Sequence, residues 1–415
     1  MKKCWLIATL VAGLAYSQTD ERAVRWHQDF EALSAGLKAT GFRIAGGIAS
    51  RGQKDFALLY PNFDREIQSI EADVPHLTDA EVLLRLMHLM ASAHVAHNTI
   101  QTPAGMGFLN RLPVDFVWFP DGFAVFAATS EHKDALGARV VKIGDLTPES
   151  LLSQLEPYIS YENTAELHRG ATELMNARGV LEHLNLIGDD GSVSLQLEKP
   201  DGQLLKLALP LADARVQKTN LAEGLPMPLY RSHPGVYYWH QYLEDSQSLF
   251  ISYNRCANDP KRRFDEFARQ VLADADAHAV KRVVIDLRWN GGGNSAVMGP
   301  LISGLKSRLK SVGQVYVLIG PSTFSSAVDN AVELQKSVSA KLVGMPSGGM
   351  PGGYGEVAKL TLPNSKLVIR YTTKNFGTVA KGGAKTLIPD IQAPLRIADF
   401  LAGRDPVLEA AIHAN

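Results

Sequence analysis

Two short segments of the chain carry residue types that together could perform acyl transfer. The first, residues 283–293, reads VVIDLRWNGGG, an apolar run typical of a buried strand that ends in three consecutive glycines. The second, residues 322–327, reads STFSSA and follows an apolar run at residues 315–319. A serine at a strand-to-helix turn can act as a nucleophile, and a glycine loop can aim backbone N–H groups at an oxyanion. Either segment alone is typical of a turn or a helix cap, but the pair indicates a serine hydrolase.

These segments resemble the signature motifs of the S41 peptidase family, the C-terminal-processing or tail-specific serine proteases. Residues 286–293 (DLRWNGGG) match the family's Asp-Leu-Arg-x-Asn-x-Gly-Gly strand end. Residues 323–327 (TFSSA) match its Thr-x-Ser-Ala turn. The resemblance is close over residues 237–415 and loose over the rest of the chain. It implies an α/β fold with a crotonase-like core and a peptide or protein as the substrate.

The resemblance also assigns roles to individual residues. It places the nucleophile at Ser325 rather than at the neighbouring Ser326. Backbone N–H groups of Gly292 or Gly293, together with that of Ser326, would then hold the oxyanion. Glu356, in a later glycine-rich loop, is a possible third member of a relay, although a solvated carboxylate is the commoner interpretation of such a residue.

The general base is the point at which the sequence departs from the tail-specific branch of the family. That branch places a lysine at the end of a Gly-Glu-x-Thr-x-Gly-Lys segment, whereas the aligned residues 344–350 read GMPSGGM. Met350 therefore stands where the lysine would be, and its thioether cannot accept a proton. A Ser/Lys dyad is excluded on this alignment.

A second branch, which resembles the tricorn-type peptidases, takes a histidine from an N-terminal helical segment. Residues 83–99 (LLRLMHLMASAHVAHNT) show apolar residues at helical spacing and then a His-Asn-Thr end that matches the family's His-Thr. Histidine suits the task because its unperturbed pKa of about 6.5 lets it accept a proton near neutral pH. We therefore predict His97 as the base. His94, three residues earlier on nearly the same face of the predicted helix, is the reserve candidate.

The rest of the sequence predicts the elements that position these residues. The predicted divisions are a signal peptide (1–17), a helical N-terminal domain (18–102), an α+β middle domain (103–223), a linker (224–236) and the core (237–415). The longest predicted N-terminal helix covers residues 78–96 and opens with a capping-box pattern. A PDZ-like module often occupies the middle position in the family. Because the middle region lacks the carboxylate-binding loop of such modules, we expect a degenerate PDZ-like α+β domain.

The N-terminus has the pattern of a secretory signal. Residues 1–3 carry two lysines, residues 4–15 are apolar, and residues 15–17 (AYS) fit a cleavage site. We therefore expect a periplasmic or secreted protein, with Cys256 as the one cysteine after cleavage and no intramolecular disulfide. No other apolar run of about twenty residues occurs, so no stable membrane insertion is expected.

Composition restricts the class of partner. The 42 Lys and Arg residues nearly balance the 43 Asp and Glu residues, so no basic field favours nucleic acid. The glycine loop at residues 291–293 lacks phosphate-loop and dinucleotide-binding patterns, and the closely spaced His94 and His97 have no third metal ligand nearby in sequence. We therefore predict no cofactor and no metal, and the oligomeric state stays open. Two alternatives remain for function: a peptide- or ligand-binding pseudoprotease without catalysis, and a non-peptide acyl hydrolase.

Overall fold

The computed structural model describes residues 4–39, 56–102, 111–213, 215–378 and 384–414. Within these ranges the chain forms a mixed α/β fold with three β-sheets. This confirms the α/β class predicted from the sequence. The predicted domain limits stay predictions. No helix in the described ranges is both long enough and apolar enough to cross a bilayer.

Helices cover much of the N-terminal half and flank the sheets. They are α1 (Cys4–Ala39), α2 (Phe63–Asp73), α3 (Asp79–Ala91), α4 (Pro148–Leu155), α5 (Thr164–Leu174), α6 (Arg178–His183), α7 (Phe264–Ala277), α8 (Gly299–Lys306), α9 (Ser326–Val338), α10 (Ile397–Leu401) and α11 (Pro406–Ile412). The strands before the linker are β1 (Thr99–Gln101), β2 (Val114–Phe119), β3 (Gly122–Ala128), β4 (Arg139–Ile143), β5 (Ser192–Glu198), β6 (Leu204–Pro210) and β7 (Thr219–Asn220). Those after it are β8 (Tyr238–Leu243), β9 (Ser248–Tyr253), β10 (Arg282–Asp286), β11 (Gln314–Ile319), β12 (Lys341–Gly344), β13 (Gly352–Thr361), β14 (Val368–Thr378) and β15 (Ile391–Gln392).

The core sheet has the strand order β15-β12-β11-β10-β9-β8 and is parallel except for the β8–β9 pair. Its central strands are buried apolar runs, as expected where helices cover both faces of a parallel sheet. Strands β10 and β11 are in register, with Asp286 opposite Leu318. Their carboxyl ends therefore lie side by side, which brings the glycine loop after β10 next to the serine turn after β11.

The middle sheet has the order β2-β3-β4-β5-β6, with β7 paired to β3, and its pairs are antiparallel. It contains two hairpins, β2–β3 across a tight turn and β5–β6 across residues 199–203. This sheet shares an apolar cluster with the N-terminal helices and with the β13–β14 hairpin. The cluster includes Phe30 of α1, Leu83 of α3, Val125 of β3 and Ile369 of β14.

The third sheet joins distant parts of the chain. Strand β1 pairs antiparallel with β14, with Thr99 opposite Arg370, and β14 pairs with β13. The carboxylate of Asp29 in α1 also accepts the backbone N–H groups of Asn364 (2.7 Å) and Ser365 (2.8 Å) in the turn of that hairpin. The N-terminal region is therefore fastened to a hairpin that follows the core strands in sequence.

The predicted helix at residues 78–96 is correct at its start and wrong at its end. Thr78 and Glu81 form the reciprocal capping box, and α3 begins at Asp79. The helix ends at Ala91, where the Ser92 hydroxyl donates to Leu89 O (2.7 Å) and His94 takes a positive φ of 49°. The chain then turns so that the apolar residues that follow are buried, and His97 lies on a loop that leads into β1.

Candidate active site

Ser325 lies at the turn between β11 and α9. It precedes the first residue of α9 and has φ 52° and ψ −131°, a positive φ that a residue with a side chain rarely adopts. Its side chain makes no helix-capping hydrogen bond. Backbone strain of this kind costs on the order of 1–3 kcal/mol and is concentrated at functional sites, where surrounding contacts maintain it.

The contacts that maintain the turn come from the glycine loop. Phe324 N–H donates to Asn290 O (3.0 Å), and the Thr323 hydroxyl donates to Leu287 O (2.9 Å). The Asn290 side chain is fully buried and donates to Tyr253 O (2.8 Å). The two residues before Ser325 are therefore tied to the loop after β10 and, through Asn290, to β9.

Two glycines let the backbone approach the nucleophile. Gly292 has φ +100°, and a Cβ there would lie 2.6 Å from Ser325 Cβ. A Cβ on Gly349 would lie 2.9 Å from Ser325 N. Any larger residue at either position would push the turn away, so both glycines are required by close packing.

His97 Nε2 lies 3.1 Å from Ser325 Oγ, although the two residues are 228 positions apart in sequence. The neighbouring Asn98 holds the histidine loop in place. Its buried side-chain amide donates to Tyr60 Oη (2.8 Å), and its Oδ1 accepts the backbone N–H of Thr372 in β14 (2.9 Å). The Ser160 hydroxyl donates to the Asn98 backbone oxygen. An imidazole at this distance can accept the serine proton.

The surroundings of His97 favour its neutral form. Burial, together with a smaller effect of the positive charge of Arg370, lowers the pKa of His97 to about 4. The ring also packs against Phe324, with a centroid distance of 4.7 Å. The Nδ1 atom is buried and has no hydrogen-bond partner among the described residues. From the sequence we expected His97 to ionise near the unperturbed histidine pKa of about 6.5. Its pKa in the structure is lower.

Two other predicted site residues lie elsewhere or are differently engaged. His94 is exposed and packs against Tyr161 at a centroid distance of 5.9 Å, so the reserve base does not reach the nucleophile. Glu356 is exposed and lies 3.5 Å from the ammonium of Lys374, so it does not form the possible relay with His97 and is the solvated carboxylate that we considered the commoner case. Its loop becomes part of β13, on the surface of the hairpin.

The backbone N–H groups predicted to hold the oxyanion differ in whether they already donate a hydrogen bond. Gly292 N–H donates to Asn290 Oδ1 (2.9 Å), so it is not available. The N–H groups of Gly293 and Ser326 have no acceptor in the described part of the chain. The Ser326 hydroxyl donates to Gly293 O (2.8 Å), which keeps these two residues together and leaves Ser325 as the serine next to the histidine.

Sequence reasoning missed Glu162, a buried carboxylate close to both the His97 loop and the segment that packs on Ser325. It accepts the backbone N–H groups of Ala96, next to His97, and of Met350. Burial raises the pKa of Glu162 to about 7. The following residue, Asn163, donates to Gly348 O (2.9 Å). These contacts connect the histidine loop to the segment that packs on Ser325. No sequence motif marks a lone Glu-Asn pair, so no signal could have identified it.

The structure does not favour Cys256 as a nucleophile, and the described residues contain no cluster of metal ligands. Cys256 is buried, and burial raises the pKa of its thiol to about 12, which suits a structural residue rather than a nucleophile. In the described ranges no group of three or more His, Cys, Asp or Glu side chains is arranged to hold a metal ion.

Comparison with solved structures returns mature CPAF. The chain aligns with it at a TM-score of 0.64 and 14% sequence identity, over 94% of this chain and 96% of that chain. Mature CPAF complexed with lactacystin aligns at a TM-score of 0.62 and 14% identity, over 95% of this chain and 99% of that chain. The chain therefore shares the fold of CPAF over nearly its whole length.

A photosystem II D1 C-terminal processing protease aligns at a TM-score of 0.42 and 11% identity, over 94% of this chain and 96% of that chain. No protein-family model matches the sequence, and the search of curated proteins returns no relative.

Proposed function

We propose that this chain is a serine-type peptidase of the S41 type, with Ser325 as the nucleophile and His97 as the general base. The observation that supports this most strongly is the 3.1 Å separation of His97 Nε2 and Ser325 Oγ. Each residue belongs to a segment that resembles the corresponding S41 motif. Hydrogen-bond contact between a nucleophile and a base is the geometric requirement for covalent catalysis.

In the proposed reaction, neutral His97 takes the proton from Ser325 Oγ as that oxygen attacks the carbonyl carbon of the substrate peptide bond. The N–H groups of Gly293 and Ser326, which have no other acceptor among the described residues, donate to the oxyanion. The protonated imidazole then gives its proton to the leaving amine, which leaves an acyl group on Ser325. Water, deprotonated by His97, attacks this ester and restores the serine.

Several finer features are part of the same proposal. The core, residues 237–415, is crotonase-like, and the middle sheet belongs to a degenerate PDZ-like domain. Residues 1–17 act as a cleavable signal that directs the protein to the periplasm or the outside of the cell. N-terminal sequencing of exported protein should then begin at Gln18 or within a few residues of it, and recovery of Met1 would refute export by cleavage.

One observation favours a second candidate, a peptide-binding pseudoprotease. His97 Nδ1 is buried without a partner in the described part of the chain, so no side chain there stabilises the imidazolium that catalysis would form. In Ser-His-Asp enzymes the third residue performs this task. The two candidates differ in whether Ser325 is an activated nucleophile.

Labelling of the folded protein with a fluorophosphonate probe separates these candidates. We expect stoichiometric labelling at Ser325, identified by peptide mass spectrometry, and its loss in Ser325→Ala. Ser326→Ala is the matched control and should still be labelled. Because a CPAF structure is complexed with lactacystin, prior incubation with that compound is a second test and should reduce labelling. A folded protein that resists the probe would favour the binding function.

A further inference from the structure

A large cavity lies where the middle sheet, the segment after β7 and the core sheet meet. Its volume is about 900 Å³, within the range of cavities that hold small-molecule ligands. Phe116 and Trp118 of β2 and Phe126 of β3 give it an aromatic wall, with Phe400 of α10 and Met227 adding apolar surface. The interior therefore suits a mainly apolar molecule.

The cavity is separate from the proposed catalytic pair. Neither Ser325 nor His97 lines it, whereas Ser322 and Trp289 do. These two residues belong to the nucleophile turn and the glycine loop. The cavity therefore borders the turn that precedes Ser325, and residues 224–236, predicted from sequence to be a linker, form another part of its wall.

Some of the arginines in the cavity wall form ion pairs with carboxylates and others do not. Arg169 and Arg288 line it and are neutralised by ion pairs with carboxylates. Arg231 and Arg255 also line it, and neither has an ion pair with a described carboxylate. Glu223 is the acidic residue of the wall, and it is exposed. The wall therefore has an excess of positive charge.

The hydrogen-bonding capacity of the wall is also incompletely used. Arg231 Nη2 donates to Pro226 O (2.6 Å), whereas its Nε and Nη1 are buried and have no partner among the described residues. The hydroxyl of Tyr230, whose side chain is more than nine-tenths buried, has none either. Arg255 Nη1 donates to Tyr237 Oη (2.7 Å) and keeps its charge exposed. Buried donors without acceptors are unfavourable, and a carboxylate is the group that guanidinium donors bind best.

We propose that this cavity binds an elongated apolar molecule that ends in a carboxylate, at a site separate from the Ser325–His97 pair. The aromatic wall would cover the apolar chain, and the uncompensated positive charge of Arg231 and Arg255 would attract the carboxylate. A fatty acid and the C-terminal end of an apolar peptide share this chemistry. The inference does not depend on Ser325 being a nucleophile, and binding can be measured in Ser325→Ala protein.

Isothermal titration calorimetry with soluble probes tests the inference. Decanoate and decyltrimethylammonium have the same chain length and opposite head-group charge. We expect decanoate to bind with one-to-one stoichiometry and at least about tenfold more tightly than the cation. Arg231→Gln and Arg255→Gln should each weaken decanoate about five- to tenfold. Arg263→Gln is the matched control, because its side chain is 73% exposed and does not line the cavity.

A cavity-filling variant keeps the test decisive if an arginine variant unfolds. Thr172 of α5 lines the cavity, and Thr172→Trp should abolish decanoate binding while the melting temperature shows that the protein is folded. An apolar hexapeptide with a free or an amidated C-terminus distinguishes the two sources of ligand, since only the free acid should compete with decanoate if peptides bind. Equal affinity for the two decyl probes, undiminished binding in Thr172→Trp, or no saturable binding of any probe would overturn the proposal.

Discussion

The nucleophile turn and the histidine loop are held by different kinds of contact. Ser325 is fixed by contacts with strand ends of its own sheet, such as the hydrogen bond from Phe324 N–H to Asn290 O (3.0 Å). The His97 loop is fixed through Asn98, whose partners Tyr60 and Thr372 are 38 and 274 positions away. The nucleophile is thus built by adjacent motifs of one sheet, whereas the base is delivered by the assembly of distant segments.

A positive φ occurs on both sides, at Ser325 and at His94 just before His97. The positive φ of Ser325 persists because rigid neighbours surround it, including the close-packed Gly292 and Gly349. His97 instead depends on the contacts that Asn98 and Glu162 make with other segments and on a short strand, β1. Changes at the turn should therefore affect chemistry directly, and changes near the loop should affect the position of the base.

The largest expected effect comes from removing the nucleophile. Ser325→Ala should lower kcat by about 10⁴ or more, because the covalent route is lost. Ser326→Ala should keep substantial activity, since its hydroxyl only donates to Gly293 O and its N–H remains. Hydrolysis of a fluorogenic peptide library measures both. Full activity in Ser325→Ala would place the nucleophile elsewhere.

Removing the base should cost less. His97→Ala should lower kcat/KM by about 10² to 10⁴, the usual range for general base catalysis. His94→Ala is the control and should stay near the wild-type rate, because His94 is exposed and away from Ser325. The same peptide assay applies. An unchanged rate in His97→Ala would mean that the 3.1 Å contact has no catalytic role.

An indirect change tests whether the histidine loop depends on distant contacts. Asn98→Ala leaves the Thr372 N–H without its acceptor and the Tyr60 hydroxyl without its donor partner. Unfolding in urea should show a loss of about 1–3 kcal/mol, and kcat should fall about tenfold as the base loses its position. Asn62→Ala, at an exposed helix end where the side chain makes no cap hydrogen bond, should change neither. Normal kcat in a destabilised Asn98→Ala protein would show that Asn98 stabilises the fold but does not position His97.

The smallest expected effect is on the pH profile. Because His97 is neutral above its lowered pKa of about 4, kcat/KM should rise with pH through an ionisation near that value and stay level through neutrality. Arg370→Gln removes a charge that opposes protonation, so the ionisation should move to higher pH by about one unit or less. Lys366→Gln, on the exposed turn of the same hairpin, is the control. A profile that Arg370→Gln leaves unmoved would remove Arg370 from the electrostatics of the base.

The lowered pKa of His97 also makes the free energy of folding depend on pH. Between about pH 4 and 6.5 the unfolded chain binds a proton at His97 that the folded chain does not, so this residue makes folding less favourable as pH falls through that window. Glu162, with its pKa raised to about 7, acts in the opposite direction, because its folded form holds a proton more tightly than the unfolded chain. The two contributions partly offset each other in mildly acidic solution.

The parts predictable from sequence are those that local patterns encode. The apolar runs and the glycine and serine turns identified β10, β11 and the start of α9 because neighbouring residues determine them. The end of α3 was missed because Val95 and Ala96 continue an apolar pattern while being buried by tertiary packing beyond the helix. The burial of Glu162 could not be predicted, since the exposure of a lone carboxylate depends on segments distant in sequence.

The pairing of β1 with β14 has a consequence for the timing of synthesis. The histidine end of the chain is made early, and the strand that positions it is made more than two hundred residues later. Contacts between residues so far apart in sequence form late in folding, because the long intervening loop closes slowly. A nascent or truncated chain that ends before residue 368 would carry both catalytic side chains but lack the strand that aligns them. The hydrolase we propose would therefore stay inert on the ribosome and acquire activity only with the completed chain.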